Sequence, residues 1–99
     1  MSDTLRGLTE LDRTIHEPAR LLIVSLLYLS KEADFLWLLN QTELTKGNLS
    51  THLGKLEQAG YLEVKKQFRG KVPWTLYRLT DQGRQEFERY RKAMRAALR

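Results

Sequence analysis

The sequence predicts a mainly α domain closed by a two-stranded β-hairpin, and three observations lead to that fold class. Apolar residues recur at helical spacing through most of residues 8–59. The period then changes to partial alternation across 61–80, around a basic Arg69-Gly70-Lys71 turn. A single apolar stripe follows to the C-terminus. At 99 residues the chain fits one domain, 1–99. A chain of this size buries only about 60–65% of its unfolded surface, so pairing with a second copy is an ordinary source of extra stability.

The elements follow in order. Leu8, Leu11 and Ile15 predict a first helix over about 9–15. Pro18 suits the opening turn of a second helix, 17–30, where its missing N–H costs nothing. That helix is apolar on nearly every face through Leu21–Leu29, broken only by Ser25, and belongs in the centre of a small domain. Its apolar run is far below the roughly 20 residues that span a bilayer.

Asp34 is placed to cap a third helix, 34–41, with Phe35, Leu38 and Leu39 facing inward. Asn40 to Glu43 break the pattern, and Leu44 anchors the turn. Thr45 caps a fourth helix, 45–59, which Gly60 ends. The hairpin occupies 61–80, with Leu62 and Val64 on one side. Its returning strand has Tyr77 and Leu79 on one face and Trp74 and Leu76 on the other. Pro73 cannot donate to a ladder and is expected at a strand start or on an edge. A last helix, 81–97, carries Phe87, Tyr90, Met94 and Ala97 or Leu98 as a narrow stripe. Four helices, two strands and a helix, in that order, make a winged helix-turn-helix.

Charge is divided unevenly. Residues 1–43 carry four Lys/Arg and seven Asp/Glu, whereas residues 44–99 carry thirteen and five, giving −3 and +8. A second half so basic is expected to face a polyanion. There are no cysteines, which excludes disulfides, thiolate metal sites and thiol redox sensing. Met1 to Gly7 lack the apolar core of a signal peptide, and a cytoplasmic location is expected by default.

On the 45–59 helix, at about 100° per residue, Leu49, Leu53 and Leu56 define a buried side. Opposite them lie Gly47, Asn48, Thr51, Gly54, Lys55 and Gln58, with Ser50 at the margin. That outer face lacks large apolar groups and acids, which suits close approach to base edges and phosphates. Asn48 and Thr51 are the candidates for base edges. Ser50 and Lys55 are candidates for phosphates, and Lys46 adds charge at the helix N-terminus. His52 sits between the two sides and is read as a packing or backbone-bonded residue. In the hairpin, Arg69 and Lys71 flank the glycine at the tip and are candidates for the backbone or a narrow minor groove. Lys65 and Lys66 point to opposite faces, so at most one reaches the same partner.

Three stretches carry a family likeness: Ile15 to Leu21, Leu44 to Leu62 (LTKGNLSTHLGKLEQAGYL), and Lys66 to Tyr90. On them the chain resembles the small winged-helix transcription regulators related to the MarR and ArsR types, over about Leu11 to Tyr90. The resemblance implies a homodimer on palindromic double-stranded DNA, with Lys46 to Lys55 as reader and Arg69 to Lys71 as wing. Thr42 and Glu43 depart from the pattern, since relatives usually have an apolar residue and a glycine there, and a less tight turn is expected.

A dimer interface is expected at the two termini, from Leu5, Leu8, Leu11 and Ile15 and from Phe87, Tyr90, Met94 and Leu98, whose apolar faces look spare. Trp37 and Trp74 are candidates either for the core or for the lining of a small effector pocket. No enzyme, metal or cofactor is expected. His16 and His52 lack paired-ligand spacing, no phosphate-binding glycine loop is present, and Ser50 and Thr51 have no evident base. The alternative to DNA binding is a winged helix used for protein–protein contact.

Overall fold

The computed structural model describes residues 3–98; the expected limits of the domain at 1 and 99 lie outside them. The chain opens with a short helix α1 (Asp3–Arg6) and a 3-10 turn (Gly7–Glu10). It continues with α2 (Pro18–Ser30), β1 (Ala33–Asp34), α3 (Phe35–Thr42) and α4 (Lys46–Gln58). The hairpin β2 (Leu62–Arg69) and β3 (Val72–Leu79) follows, and α5 (Asp81–Ala97) ends the fold.

The expected helix over 9–15 does not form. The Asp12 carboxylate accepts from the Thr14 and Ile15 amides at 2.8 and 3.1 Å, and the His16 amide donates back to the Asp12 carbonyl. An aspartate that bonds the backbone locally offers the chain a turn in place of a helix. Leu11 and Ile15 still reach the core from that turn.

From α2 onward each helix begins at a side-chain cap. Glu17 accepts from the Ala19 and Arg20 amides ahead of Pro18. Asp34 accepts from the Trp37 amide, Thr45 from the Asn48 amide and Thr80 from the Gly83 amide. Gly60, at φ +83°, ends α4 in the left-handed conformation that a side chain resists.

The core gathers Ile15, Ile23, Val24, Leu27, Leu38, Leu49 and Leu56, all fully buried. Helix α2 is central along one side only, since Leu22 and Leu29 are 40% and 80% exposed. Phe35 and Leu39 pack against the core beside the buried Leu38.

The expected two-stranded hairpin forms as β2 and β3, and the short β1 adds to it, giving a three-stranded sheet in the order β1-β3-β2. Ala33 and Asp34 pair with Tyr77 and Leu76, extending the hairpin on its inner half alone. Pro73 therefore lies on an open stretch of β3, opposite Phe68, where no third strand needs its missing donor.

The turn between α3 and α4 is Glu43-Leu44-Thr45, and it is tight. Glu43 takes φ +57°, the conformation a glycine adopts without penalty, and Thr42 is buried with its hydroxyl accepting from the Leu44 amide. The departure from the usual residues leaves the turn intact at the cost of one strained backbone.

Candidate nucleic-acid interface

Helix α4 buries Leu49, Leu53 and Leu56 and exposes Lys46, Gly47, Asn48, Ser50, Thr51 and Lys55, as the helical angle predicts. Among the described residues, none pairs with the side chains of Lys46, Asn48, Ser50 or Lys55. The Thr51 hydroxyl donates to the Gly47 carbonyl at 3.0 Å, which leaves its methyl and lone pairs outward-capable. The acid of the helix, Glu57, acts electrostatically on Tyr77 of the hairpin.

Among the described residues, no close contact calls for a glycine at 47 or 54. A Cβ built at either meets nothing within 4 Å. Each glycine costs a helix about 1 kcal/mol relative to alanine. The packing of the domain does not require that expense, whereas at Gly83 it plainly does.

The orientation of α4 is fixed from α2. Arg20 donates from Nε to the Thr14 carbonyl at 2.6 Å and from Nη1 to His52 Nδ1 at 3.1 Å. Glu17 Oε2 lies 3.7 Å from Arg20 Nη1 and 3.5 Å from His52 Nδ1. Burial raises the pKa of the Glu17 carboxyl, but the Arg20 and Ala19 amides and the nearby Arg20 charge outweigh it and hold it below the usual range. His52 is thus a strut between helices, in keeping with its intermediate position on α4.

In the wing, Gly70 at φ +62° and Lys71 make the two-residue turn. Lys71 is exposed and, among the described residues, without a side-chain partner. Arg69 is exposed but not loose, because its guanidinium stacks 3.7 Å over the Trp74 ring. The Trp74 indole N–H in turn donates to Asp34 Oδ2 at 3.1 Å. The amide of Trp37, the indole of Trp74 and the charge of Arg69 together hold the Asp34 carboxyl below its usual pKa, against the opposing effect of burial. This tether was not legible in the sequence. Its residues are 34, 69 and 74, a spacing that no local pattern connects.

Trp37 and Trp74 stand outside the central core and line one open depression with Ser30, Glu32, Ala33, Asp34 and Leu76. At the termini, Phe87 and Tyr90 are only 5% and 6% exposed and belong to the domain's own core, so they offer no spare face. The amphipathic stripe is satisfied intramolecularly: Tyr28 packs edge-on against Phe87, and the Tyr90 hydroxyl bonds His16 at 2.8 Å. Leu11 and Ile15 are likewise buried, and Leu8 and Met94 pack against the core. Leu5 and Leu98 remain exposed at 41% and 70%.

A helix-turn-helix carrying an acid-free outer face, beside a basic two-stranded wing, defines a winged-helix DNA-binding protein of the transcription-regulator type. Such a fold is not that of an enzyme. The chain belongs to the winged helix DNA-binding domain family, which it matches over residues 19–98. It is 40% identical over 72 residues to Uncharacterized protein MJ0432 of Methanocaldococcus jannaschii, covering 72% of this chain and 77% of that one. It is also similar to the solved structure of a transcriptional regulator homologue from Pyrococcus horikoshii OT3. That likeness has a TM-score of 0.88 at 27% identity and covers 98% of this chain and 95% of the other. A MarR family transcriptional regulator from Silicibacter pomeroyi shares the fold, with a TM-score of 0.67 at 21% identity; the match covers 97% of this chain and 62% of that longer one.

Proposed function

We propose that this protein is a sequence-specific regulator of transcription, with α4 lying in the major groove of duplex DNA and the β2–β3 wing on the adjacent minor groove or backbone. The observation that carries the proposal is the pair Gly47 and Gly54, helix-weakening residues at which an added Cβ would meet nothing within 4 Å among the described residues. A groove wall pressed against the helix is the neighbour they would clear.

Asn48 pairs with a base edge, and Thr51, its hydroxyl proton engaged by Gly47, offers its methyl to a thymine. Ser50 and Lys55 hold phosphates, and Lys46 adds its charge at the N-terminus of α4, where the helix dipole already favours an anion. Lys71 contacts the wing-side backbone, with Arg69 beside it. From Leu62 to Phe68 the hairpin runs about 20 Å at the usual rise per residue. That length is comparable with half of the roughly 34 Å helical turn of DNA, which separates a major groove from the next minor one. The protein acts in the cytoplasm as a homodimer on a palindromic site, paired through its exposed ends, Leu5 and Leu98, with the outer edges of Leu8 and Met94.

The exposed Leu22, Leu29 and Leu36 favour a protein partner as a second reading. They lie on α2 and α3 rather than on the outer face of α4, so the two readings use different surfaces. Selection of bound duplexes from a random library, followed by a salt titration of the winner, tests the proposal. An enriched palindrome whose affinity falls steeply with salt is expected. No enrichment and no duplex binding at low ionic strength would overturn it.

A further inference from the structure

Phe68 is 72% exposed near the end of the wing, two residues before the tip turn. Side chains alternate across a strand, and directly opposed residues share a face. Leu62, Val64, Lys66 and Phe68 therefore share a face with Leu79, Tyr77, Thr75 and Pro73. The inner part of that face is the one packed on the domain: Leu62 and Leu79 are core residues, Tyr77 packs against them, and α4 lies against β2. Phe68 is the continuation of this face past the edge of the core, on the side where α4 stands. The opposite face carries Arg69, which is held back on Trp74.

The surroundings of Phe68 say what it meets. Lys66 and Lys71 are both exposed near it, and Pro73 stands across the ladder with its φ fixed. An aromatic ring among unpaired cations is complementary to a surface of stacked bases walled by phosphates. It is a poor match for the apolar face of another protein, whose burial would strand those lysines.

We infer that Phe68 is an apolar wedge that enters a base step in the minor groove flanking the one occupied by α4. This deepens the DNA-binding proposal above and rests on it. Apolar side chains so inserted partly unstack the step and kink the duplex toward the major groove. Pyrimidine–purine steps yield most easily, so the wedge selects sequence at a position where no hydrogen bond is made.

The test uses the full chain and a duplex selected from a random library, with 2-aminopurine replacing adenine at successive positions and dyes at the two ends. At saturating protein, fluorescence is expected to rise at one step and the ends to draw together. Phe68→Leu, which keeps an apolar wedge, retains both signals. Phe68→Ser loses both and binds about tenfold more weakly, with the loss concentrated on duplexes that carry a flexible step at that position. Lys66→Ala lowers affinity yet keeps both signals once saturated. The wedge is overturned, with the DNA-binding proposal left standing, if Phe68→Ser binds and bends as the natural chain does or if no step brightens. It is overturned in favour of a contact between copies if Phe68→Ser turns a dimer into a monomer in sedimentation. If the natural chain binds no duplex at low salt, wedge and DNA binding fall together.

Discussion

Arg20 on α2 donates a 3.1 Å hydrogen bond to His52 Nδ1 on α4, joining the central helix to the helix that carries the candidate contact face. A guanidinium has no acceptor, so Arg20 is the donor in this bond. The same guanidinium holds the Thr14 carbonyl, and the Glu17 carboxylate stands within 3.7 Å.

Arg20→Ala removes these bonds from a partly buried position. A loss of about 1–3 kcal/mol in stability is expected from the groups left unpaired. Urea denaturation measures it, and an unchanged midpoint would show that the strut has no mechanical role.

Gly83 and Gly47 are expected to behave oppositely. A Cβ at Gly83 lies 2.3 Å from the Tyr61 carbonyl oxygen, a backbone atom already accepting from the Thr80 amide. Gly83→Ala should therefore cost about 2–3 kcal/mol through overpacking. Gly47→Ala and Gly54→Ala, in open space, should each stabilise the fold by about 0.5–1 kcal/mol. If they clear a groove wall, the same two changes weaken duplex binding. Stability and affinity moving in opposite directions is the signature, read by thermal melts and gel shifts on the same samples.

Glu43 keeps a left-handed backbone that costs a non-glycine residue about 1–2 kcal/mol. Glu43→Gly relieves that strain but loosens the unfolded chain, so a net gain of up to about 1 kcal/mol is expected. A fall in the denaturation midpoint would contradict it.

Acid should unfold the domain partly through its caps. The carboxyls of Asp34 and Glu17 lie below their ordinary values of 3.8 and 4.5 in the folded chain. A depressed carboxyl contributes stability that is complete above its unfolded value and drains as pH falls through the folded one. Asp34→Asn is therefore expected to be less stable than the natural chain at neutral pH, with the gap closing as pH drops below about 4. Melts across the acid range check this; a gap independent of pH would remove Asp34 from the account.

Where a short-range rule governs an element, the sequence predicted it closely. Asp34 begins α3, and Thr45 with Gly60 brackets α4, where capping chemistry says they must, and the buried leucines of α4 follow from angle. The N-terminal segment departs from its pattern because Leu8, Leu11 and Ile15 keep helical spacing while the Asp12 side chain enforces a turn between them. Strand β1 has two residues, too few to show any alternation. Phe87 and Tyr90 look available to a partner in the sequence because a stripe on a terminal helix has the same pattern whether the chain's own core or a second copy covers it. The stack of Arg69 on Trp74 depends on strand register, which pattern alone leaves open.

That stack has a kinetic consequence. Through Asp34, which caps α3, the chain Arg69–Trp74–Asp34 couples the hairpin tip to the helix-turn-helix scaffold. If the wing and α4 meet one duplex as proposed, a duplex that encounters one of them encounters the other already poised, and little ordering entropy remains to be lost at the moment of capture. On that proposal, cutting the coupling with Trp74→Ala would slow productive docking and shorten residence without altering the outer face of α4.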